Sequence, residues 1–237
     1  MSRIAIIVAG GSGTRMGENT PKQFIEISNK PILVHTLETF QKHLLIDAVE
    51  VVCLNGWQDT VRNYIGQYGI NKLKWVVPGG NTVQESIRNG VFFLEGKVTD
   101  EDIIIIHDGI RPALDAEVLT DVIQKSEQYG NAVSSLQYNE QLFVADDDIS
   151  TVKYFPREGL RRVSTPQAYR YGKLKWAYHE AYEKKIGIGV SAYANTLMAD
   201  LGERLYFAAG SEKNIKLTTK EDLELFKACL KLVEEKN

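Results

Sequence analysis

The sequence has little of several features that would each indicate a class of protein. Its two cysteines, Cys53 and Cys229, lie far apart and without metal-ligand spacing, which argues against a disulfide-rich secreted domain and predicts buried thiols in a cytoplasmic protein. The formal net charge of -3 gives no overall basic field, so we expect no nucleic-acid partner. Since no apolar run reaches about 18 residues, we also expect no membrane partner.

The composition that remains is ordinary for a soluble globular protein, with 43% hydrophobic and 25% charged residues. A chain of 237 residues forms one large domain or two small ones and can bury a sizeable core. The apolar run Ile4 to Val8 leaves no room for a signal peptide, by our interpretation. We interpret residues 1–237 as a single domain with a β-arm inserted at 137–160.

Apolar runs typical of strands alternate with amphipathic patterns typical of helices along most of the chain. We predict strands at 4–8, 48–54, 73–77, 103–106, 131–136 and 205–208, and helices at 31–43, 57–68, 84–94, 116–129, 171–184, 191–201 and 219–233. This alternation predicts an α/β fold, Rossmann-like, with a mostly parallel sheet covered by helices on both faces. Ligands of such sheets bind beyond the carboxyl ends of the strands.

A glycine-rich loop follows the first predicted strand directly. It carries Gly10, Gly11, Gly13 and Gly17, while Arg15 lies within it and Lys22 follows shortly after. Dense glycines let a ligand approach the backbone N–H groups closely, and two cations beside such a loop suit a polyphosphate. The alternative is a plain strand-to-helix turn with incidental cations.

Two familiar phosphate-binding motifs do not fit this loop. A P-loop requires Gly-Lys where the sequence has Arg15-Met16, and the dinucleotide fingerprint requires a third glycine where Met16 stands. The second predicted strand also ends without the acidic residue that would hold a ribose. The remaining pattern, A-G-G-x-G-x-R-M-G followed by P-K-Q, resembles the signature loop of the nucleotidyltransferases that join a nucleoside triphosphate to a sugar or polyol phosphate.

Residues 137–160 interrupt the alternation of strands and helices. They alternate weakly around a turn at 146–148, which predicts a β-hairpin with an acidic tip. Phe143, Val152, Tyr154 and Phe155 are many apolar side chains for a lone hairpin, which is only marginally stable without packing. We therefore favour an arm that packs on a second subunit and makes a homodimer; the alternative is a surface hairpin of the same domain.

Four separated motifs occur in a consistent order along the chain. They are AGGSGTRMG with PKQF, GGNTVQES, HDGIRP, and STPQ with NIKLTT, and together they span residues 8–219. The sequence resembles the cytidylyltransferases that make CDP-methylerythritol and CDP-ribitol. One motif alone would be weak evidence, but the ordered set is specific.

The resemblance implies that an alcohol phosphate attacks the α-phosphorus of CTP and releases pyrophosphate. Arg15 and Lys22 would hold the triphosphate, Lys216 would reach the α-phosphate, and Asp108 would hold Mg²⁺. Asp108 could instead cap a helix or pair with Arg111. We expect Arg111 to brace the loop of Asp108 and His107 to be structural.

The resemblance also implies residues for the two substrates. The matching nucleotide-binding positions are Ala9, Gly10, Gly11, Gly13, Gly80, Asn81 and Ser86. Arg157 and Thr165 match the positions that hold the phosphoalcohol, partly from the other subunit's arm. Gly79-Gly80 could be only a turn, and Arg157 only a surface charge.

The sequence departs from the family pattern at three places. Val83 stands where an Arg is common, Glu140-Gln141 replaces Asp-Thr in the arm, and Ala192 replaces an Asp beside the metal. We therefore expect an intact nucleotide site and an altered acceptor side. Ribitol phosphate is our first expectation and methylerythritol phosphate the second. A nucleotide-binding pseudoenzyme and a transferase that uses UTP or GTP are the alternatives.

Overall fold

The computed structural model describes residues 1–11, 20–188 and 193–234, with side chains up to residue 231. Three positions of interest, Gly13, Arg15 and Ala192, lie outside the described residues.

The described chain contains strands and helices in alternation. The strands are Arg3–Ala9 (β1), Glu26–Ile27 (β2), Lys30–Pro31 (β3), Ala48–Cys53 (β4), Leu73–Pro78 (β5), Ile103–Asp108 (β6), Asn131–Gln137 (β7), Leu142–Val144 (β8), Lys153–Phe155 (β9), Arg161–Arg170 (β10) and Phe207–Ala208 (β11). The α-helices are Ile32–Lys42 (α1), Gln58–Tyr68 (α2), Val83–Phe93 (α3), Ala116–Tyr129 (α4), Tyr171–Lys184 (α5), Ala194–Asp200 (α6) and Lys220–Glu234 (α7). A short 3-10 helix, Lys22–Phe24, precedes β2.

Seven strands form the central sheet, in the order β11-β7-β10-β6-β1-β4-β5. The strand β1 lies between β4 and β6 and is parallel to both, and β5 continues the parallel part at one edge. The strand β10 is antiparallel to its neighbours β6 and β7. The prediction of a mostly parallel sheet with helices is confirmed.

The antiparallel strand β10 is the element of the central sheet that the sequence pattern missed; the short strands β2 and β3 and the 3-10 helix were not predicted either. The ten residues of β10 contain Pro166 and few apolar side chains, so neither alternation nor a continuous apolar run marks it. The pairing with β7 is irregular between Ser164 and Gln167, which accommodates the proline. Because β10 lies beside β6, it brings Thr165 next to the end of that strand.

Apolar side chains fill both faces of the sheet. On one face, Ala5 and Ile7 of β1 belong to a cluster with α1, α2 and α4; on the other, Ile4 and Ile6 pack with α3, α5 and α6. The strands β4 and β6 are buried throughout, as expected for parallel strands covered on both sides.

A third, smaller cluster anchors the segment that carries Lys216. Leu217 and Phe226 pack there with Ile110, which follows β6, and with Ile27 and Ile32. The backbone N–H of Leu217 donates to the carbonyl of Ile110 at 2.9 Å. The loop after β6 and the segment before α7 are therefore held together.

The predicted hairpin is present as the two-stranded antiparallel sheet of β8 and β9, which pairs Phe143 with Tyr154. Its tip is closed by its own polar groups, since the Asp147 carboxylate accepts from the N–H groups of Ile149 and Ser150. Large apolar side chains of the arm are exposed, namely Phe143, Val144, Ile149, Val152, Tyr154 and Phe155. The arm's role in dimerisation stays a prediction.

Candidate active site

Apart from Arg157, which lies in the arm, the predicted site positions that the structure describes lie at the carboxyl edge of the parallel strands. In the sheet register, Val8 lies opposite Asp108 and Ala9 opposite Cys53. The residues that follow these strands therefore share one edge, as the parallel arrangement requires.

A cavity of about 330 Å³ lies between the ends of β1, β4 and β5. It is lined by Gly10 and Gly11, by Leu54 and Asn55, and by residues 79–83 with Ser86. Among the predicted nucleotide-binding residues, the structure thus brings Gly10, Gly11, Gly80, Asn81 and Ser86 together. Ala9 ends the strand that leads into this cavity.

Ser86 organises this cavity through its hydroxyl. The Oγ atom donates to the carbonyl of Thr82 at 2.9 Å and accepts from the N–H of Gly80 at 3.0 Å. A Cβ atom on Gly10 would lie 2.9 Å from this Oγ, and one on Gly80 only 2.3 Å from Cβ of Glu85. Both positions therefore require glycine for close packing, and Gly79-Gly80 is more than an open turn.

The start of α3 is fixed by two hydrogen bonds next to the cavity. The Thr82 hydroxyl accepts from the N–H of Glu85 at 3.0 Å, as in a helix N-cap. The Glu85 carboxylate in turn accepts from the N–H of Asn81 at 2.7 Å. Asn81 is therefore held at the mouth of the cavity through its backbone.

Gln23 is a positioning residue that the sequence analysis did not single out. Its buried Nε2 donates to the carbonyls of Ala9 at 2.8 Å and Gly11 at 3.0 Å, on either side of Gly10. The preceding Lys22 is also largely buried. Gln23 thus ties the 3-10 helix to the beginning of the glycine-rich loop; a glutamine two residues after a proline gives no signal of this by itself.

A compact ionic cluster lies beside the cavity. The Oδ2 atom of Asp108 accepts from Nε of Arg111 at 2.8 Å and lies 3.3 Å from Nζ of Lys216. Arg111 also donates through Nη1 to the carbonyl of Asn214 at 2.6 Å. The pairing with Arg111 that the sequence left open is therefore present, together with Lys216, and Arg111 braces the segment that carries Lys216.

The Asp108 carboxylate remains ionised in this cluster. Burial alone would raise its pKa, but the charges of Lys216 and Arg111, with the hydrogen bond from Arg111, hold the pKa below its ordinary value. A negative charge at this position is therefore present throughout the neutral pH range.

Thr165 lies against Asp108 and supports it. The Thr165 hydroxyl accepts from the N–H of Asp108 at 3.1 Å, and the Thr165 carbonyl accepts from Nδ2 of Asn214 at 2.6 Å. Thr165 therefore joins β6, β10 and the segment of Lys216. A second cavity of about 270 Å³ lies on this side, lined in part by Arg111, Ser164, Asn214 and Lys216.

His107, the buried residue directly before Asp108, has a structural role. Its Nε2 donates to the carbonyl of Arg111 at 3.1 Å, which fixes the turn after β6. Burial, as the largest cause, lowers the pKa of His107 to about 4. The ring is thus neutral at physiological pH.

Arg157 is not brought to the ionic cluster within one chain. It lies in the arm, where its Nη1 donates to the carbonyl of Asn139 at 3.0 Å. A cavity of about 490 Å³ lies against the arm and is lined in part by Arg157, Phe143 and Tyr154.

Two further findings apply only to the part of the chain that the structure describes. Its residues 1–11, 20–188 and 193–234 contain no helix long and apolar enough to cross a bilayer. Over the same ranges, no group of three or more His, Cys, Asp or Glu side chains is placed to hold a metal ion.

A main-chain-lined cavity beside a cluster of cations, at the carboxyl edge of a mostly parallel sheet, is typical of an enzyme that acts on nucleotide phosphates. Residues 3–232 match the family described as 2-C-methyl-D-erythritol 4-phosphate cytidylyltransferase, and the chain belongs to this family. It is therefore a nucleotidyltransferase of the cytidylyltransferase type, as the sequence motifs predicted.

The names of similar proteins refer to two different acceptor substrates. The chain is 57% identical to a ribitol-5-phosphate cytidylyltransferase of Lacticaseibacillus paracasei, over 96% of this chain and 97% of the relative. It is 34% identical to a 2-C-methyl-D-erythritol 4-phosphate cytidylyltransferase of Clostridium acetobutylicum, over 96% of both chains.

Solved structures show the same fold. A 4-diphosphocytidyl-2C-methyl-D-erythritol synthase superimposes with a TM-score of 0.79 at 26% identity, covering 97% of this chain and 98% of the other. The 2-C-methyl-D-erythritol 4-phosphate cytidylyltransferase of Francisella tularensis also gives a TM-score of 0.79, at 25% identity, covering 95% and 98% of the two chains.

Proposed function

We propose that this cytidylyltransferase transfers CMP from CTP to ribitol 5-phosphate and releases pyrophosphate. The observation that supports ribitol 5-phosphate as the acceptor is the 57% sequence identity, over nearly the full length of both chains, to a relative named for ribitol 5-phosphate. The departures at Ala192 and at Glu140-Gln141 support it, because both change the acceptor side of the sequence pattern.

The chemistry is a direct displacement at phosphorus. A phosphate oxygen of the acceptor attacks the α-phosphorus of CTP, and the bond to the β-phosphate oxygen breaks as pyrophosphate leaves. No covalent enzyme intermediate is required, so the chain's contribution is alignment and stabilisation of negative charge. Val8, the sheet partner of Asp108, lines one cavity, and Arg111 and Lys216 line the other, so nucleotide and acceptor could both lie near this cluster.

Three cations serve the phosphates in this proposal. Arg15, which lies outside the described residues, and Lys22, in the 3-10 helix that follows, would hold the triphosphate. Lys216 approaches the α-phosphate from the side of the ionic cluster.

Asp108 fits a magnesium site in its simplest form. Mg²⁺ is commonly held by one or two carboxylates, with phosphate oxygens and water as the other ligands. Within the described part of the chain, the Oδ1 atom of Asp108 has one long contact, 3.4 Å to Nζ of Lys216, and the carboxylate is ionised. Bound Mg²⁺ would neutralise phosphate charge; chelation should abolish pyrophosphate release, and added Mg²⁺ should restore it.

We further propose a cytoplasmic homodimer in which the arm, residues 137–160, packs on the partner and brings Arg157 toward its acceptor site. The exposed apolar side chains of β8 and β9 support this, because a lone hairpin gains little stability from them. Phe155→Glu should give monomers by light scattering, while Leu44→Glu, at another exposed apolar position, should leave the dimer intact. A dimer that survives Phe155→Glu and deletion of the arm would contradict the proposal.

Competition between two acceptors tests the proposed function. With ribitol 5-phosphate and methylerythritol 4-phosphate at equal concentrations, we expect ribitol 5-phosphate to win by at least about tenfold in kcat/KM, or roughly 1.4 kcal/mol. Preference for methylerythritol 4-phosphate would overturn the acceptor. If no acceptor gives pyrophosphate release, the protein is a nucleotide-binding pseudoenzyme. Faster pyrophosphate release from UTP or GTP than from CTP would contradict CTP as the nucleotide substrate.

A further inference from the structure

The Lys216 ammonium makes long contacts to two residues, Asp108 and Tyr193, and no short hydrogen bond to either. Its Nζ lies 3.3 and 3.4 Å from the two carboxylate oxygens of Asp108, and it donates to the hydroxyl oxygen of Tyr193 at 3.4 Å. Charge-assisted hydrogen bonds are usually about 2.7–2.9 Å long. Lys216 is therefore held loosely enough to be available to a phosphate.

Tyr193 contacts Lys216 in a second way, through its ring. The Nζ atom lies 5.3 Å from the ring centroid, within the range of a cation–π interaction. Tyr193 thus offers Lys216 a neutral hydroxyl oxygen and, farther away, an aromatic ring, neither of which carries a negative charge.

The backbone of Tyr193 is fixed at the start of α6. Its carbonyl accepts from the N–H of Leu197 at 3.1 Å and from the Thr196 hydroxyl at 2.9 Å. Buried Gln167 of β10 accepts from the N–H of Asn195 at 3.2 Å, which ties this helix start to the sheet. The backbone from which the Tyr193 side chain extends is therefore fixed to α6 and, through Gln167, to the sheet.

We propose that Tyr193 is a positioning residue for CMP transfer, acting by holding Lys216 between Asp108 and the reacting phosphate. The inference rests on the proposed phosphate role of Lys216. Without Tyr193, the ammonium keeps Asp108 as its one partner among the described residues and closes into a tighter ion pair, so less of its charge reaches the α-phosphate. A neutral phenol also releases Lys216 to a phosphate more readily than a carboxylate would.

Two substitutions separate the contributions of the ring and the hydroxyl. Tyr193→Phe keeps the ring and should lower kcat about threefold, whereas Tyr193→Leu removes both and should lower it about tenfold. KM for CTP should change less than about twofold. Tyr182→Phe is the matched control, because its ring also faces a cation, Arg88 at 4.4 Å, while neither residue lines the two cavities of the site. The kcat of this variant should stay unchanged.

A double-mutant cycle with Lys216→Met tests whether Tyr193 acts through Lys216. Tyr193→Leu should lower kcat about tenfold in the wild-type background and less than about twofold in the Lys216→Met background. If the steady-state rate of Lys216→Met is too slow to measure, the cycle is read from the rate of CDP-product formation with enzyme in excess over CTP, with the same expected non-additivity.

Three results would overturn the inference. Equal losses in both backgrounds would show that Tyr193 acts independently of Lys216. Normal kcat in folded Tyr193→Leu, with Lys216→Met impaired, would remove the role of Tyr193 and leave the proposed function standing. Full activity of Lys216→Met would instead remove the phosphate role of Lys216, and the inference with it.

Discussion

Two buried carboxyl groups on the strands that flank β1 have opposite ionisation behaviour. Glu50 of β4 is 0% exposed and Asp108 of β6 is 6% exposed. Neither oxygen of Glu50 has a hydrogen-bond partner within the described part of the chain, and burial raises the pKa of Glu50 to about 9. Asp108 is as deeply placed, yet its pKa is lowered by Lys216 and Arg111 against the effect of burial.

The difference shows that position along the strand, more than burial, decides the role of the group. Glu50 lies in the middle of its strand, where Gly90, Val52 and Ile6 are close, and it is a protonated core residue at neutral pH. Asp108 lies at the carboxyl end of its strand, where cations from two later segments reach it. Only the second arrangement supplies a permanent charge to a ligand.

The largest effect is expected from removing the charge at Asp108. Asp108→Asn should lower kcat by roughly 100- to 1,000-fold, because Arg111 and Lys216 lose their common counter-ion and the proposed Mg²⁺ site loses its carboxylate. Glu50→Gln is the matched control and should keep near-normal kcat. Pyrophosphate release measures the kcat of both variants, and circular dichroism checks that they are folded. Equal activity of the two variants would show that the charge of Asp108 is not needed for catalysis.

The next largest effect concerns the cations of the glycine-rich loop. Arg15→Ala and Lys22→Ala should each lower turnover about a hundredfold, since each removes a donor to phosphate charge in the transition state. Lys213→Ala is a control near Lys216 whose side chain is 71% exposed and pairs with Asp115. A near-normal rate in either test variant, with the fold intact, would exclude that residue from the site.

A smaller effect is expected on the uncharged nucleotide side. Gly80→Ala forces Cβ to within 2.3 Å of Glu85 unless the turn moves, so KM for CTP should rise about tenfold with a smaller change in kcat. Gly66→Ala in α2 meets nothing within 4 Å and serves as the control. Steady-state kinetics with varied CTP decides this, and unchanged KM in Gly80→Ala would place the cytidine elsewhere.

The smallest effect on activity, but a measurable one on stability, is expected from Glu50. Because its pKa of about 9 in the folded state exceeds the ordinary value of 4.5, the folded protein retains a proton that the unfolded chain releases between these values. The free energy of unfolding should therefore fall as pH rises through this window, by at most about 1.4 kcal/mol per pH unit from this group.

Glu50→Gln should flatten that dependence. Thermal unfolding of both proteins from about pH 7 to about pH 9 measures it and avoids the range below about 6.5, where buried His107 makes stability fall as pH decreases. Parallel Tm curves for the two proteins would show that Glu50 is not protonated in the folded state.

Most of the fold was predictable because its signals are local. Buried strands such as β1 and β6 are short continuous apolar runs, and the helices between them have apolar residues at helical spacing. The glycines, Lys22, Asp108 and Lys216 were identified from motifs. The roles assigned to them stay predictions.

The sequence by itself determined the alternation of strands and helices, the glycine-rich loop and the order of the motifs, since each depends on neighbouring residues. Only the tertiary structure decided that β10, despite Pro166, enters the sheet beside β6, that Gln23 binds both sides of Gly10, and that Tyr193 faces Lys216. It also decided that Glu50 is buried without a partner while Asp108 has two cations. These relations join residues distant in sequence, and their energies depend on burial and on the placement of charges in three dimensions.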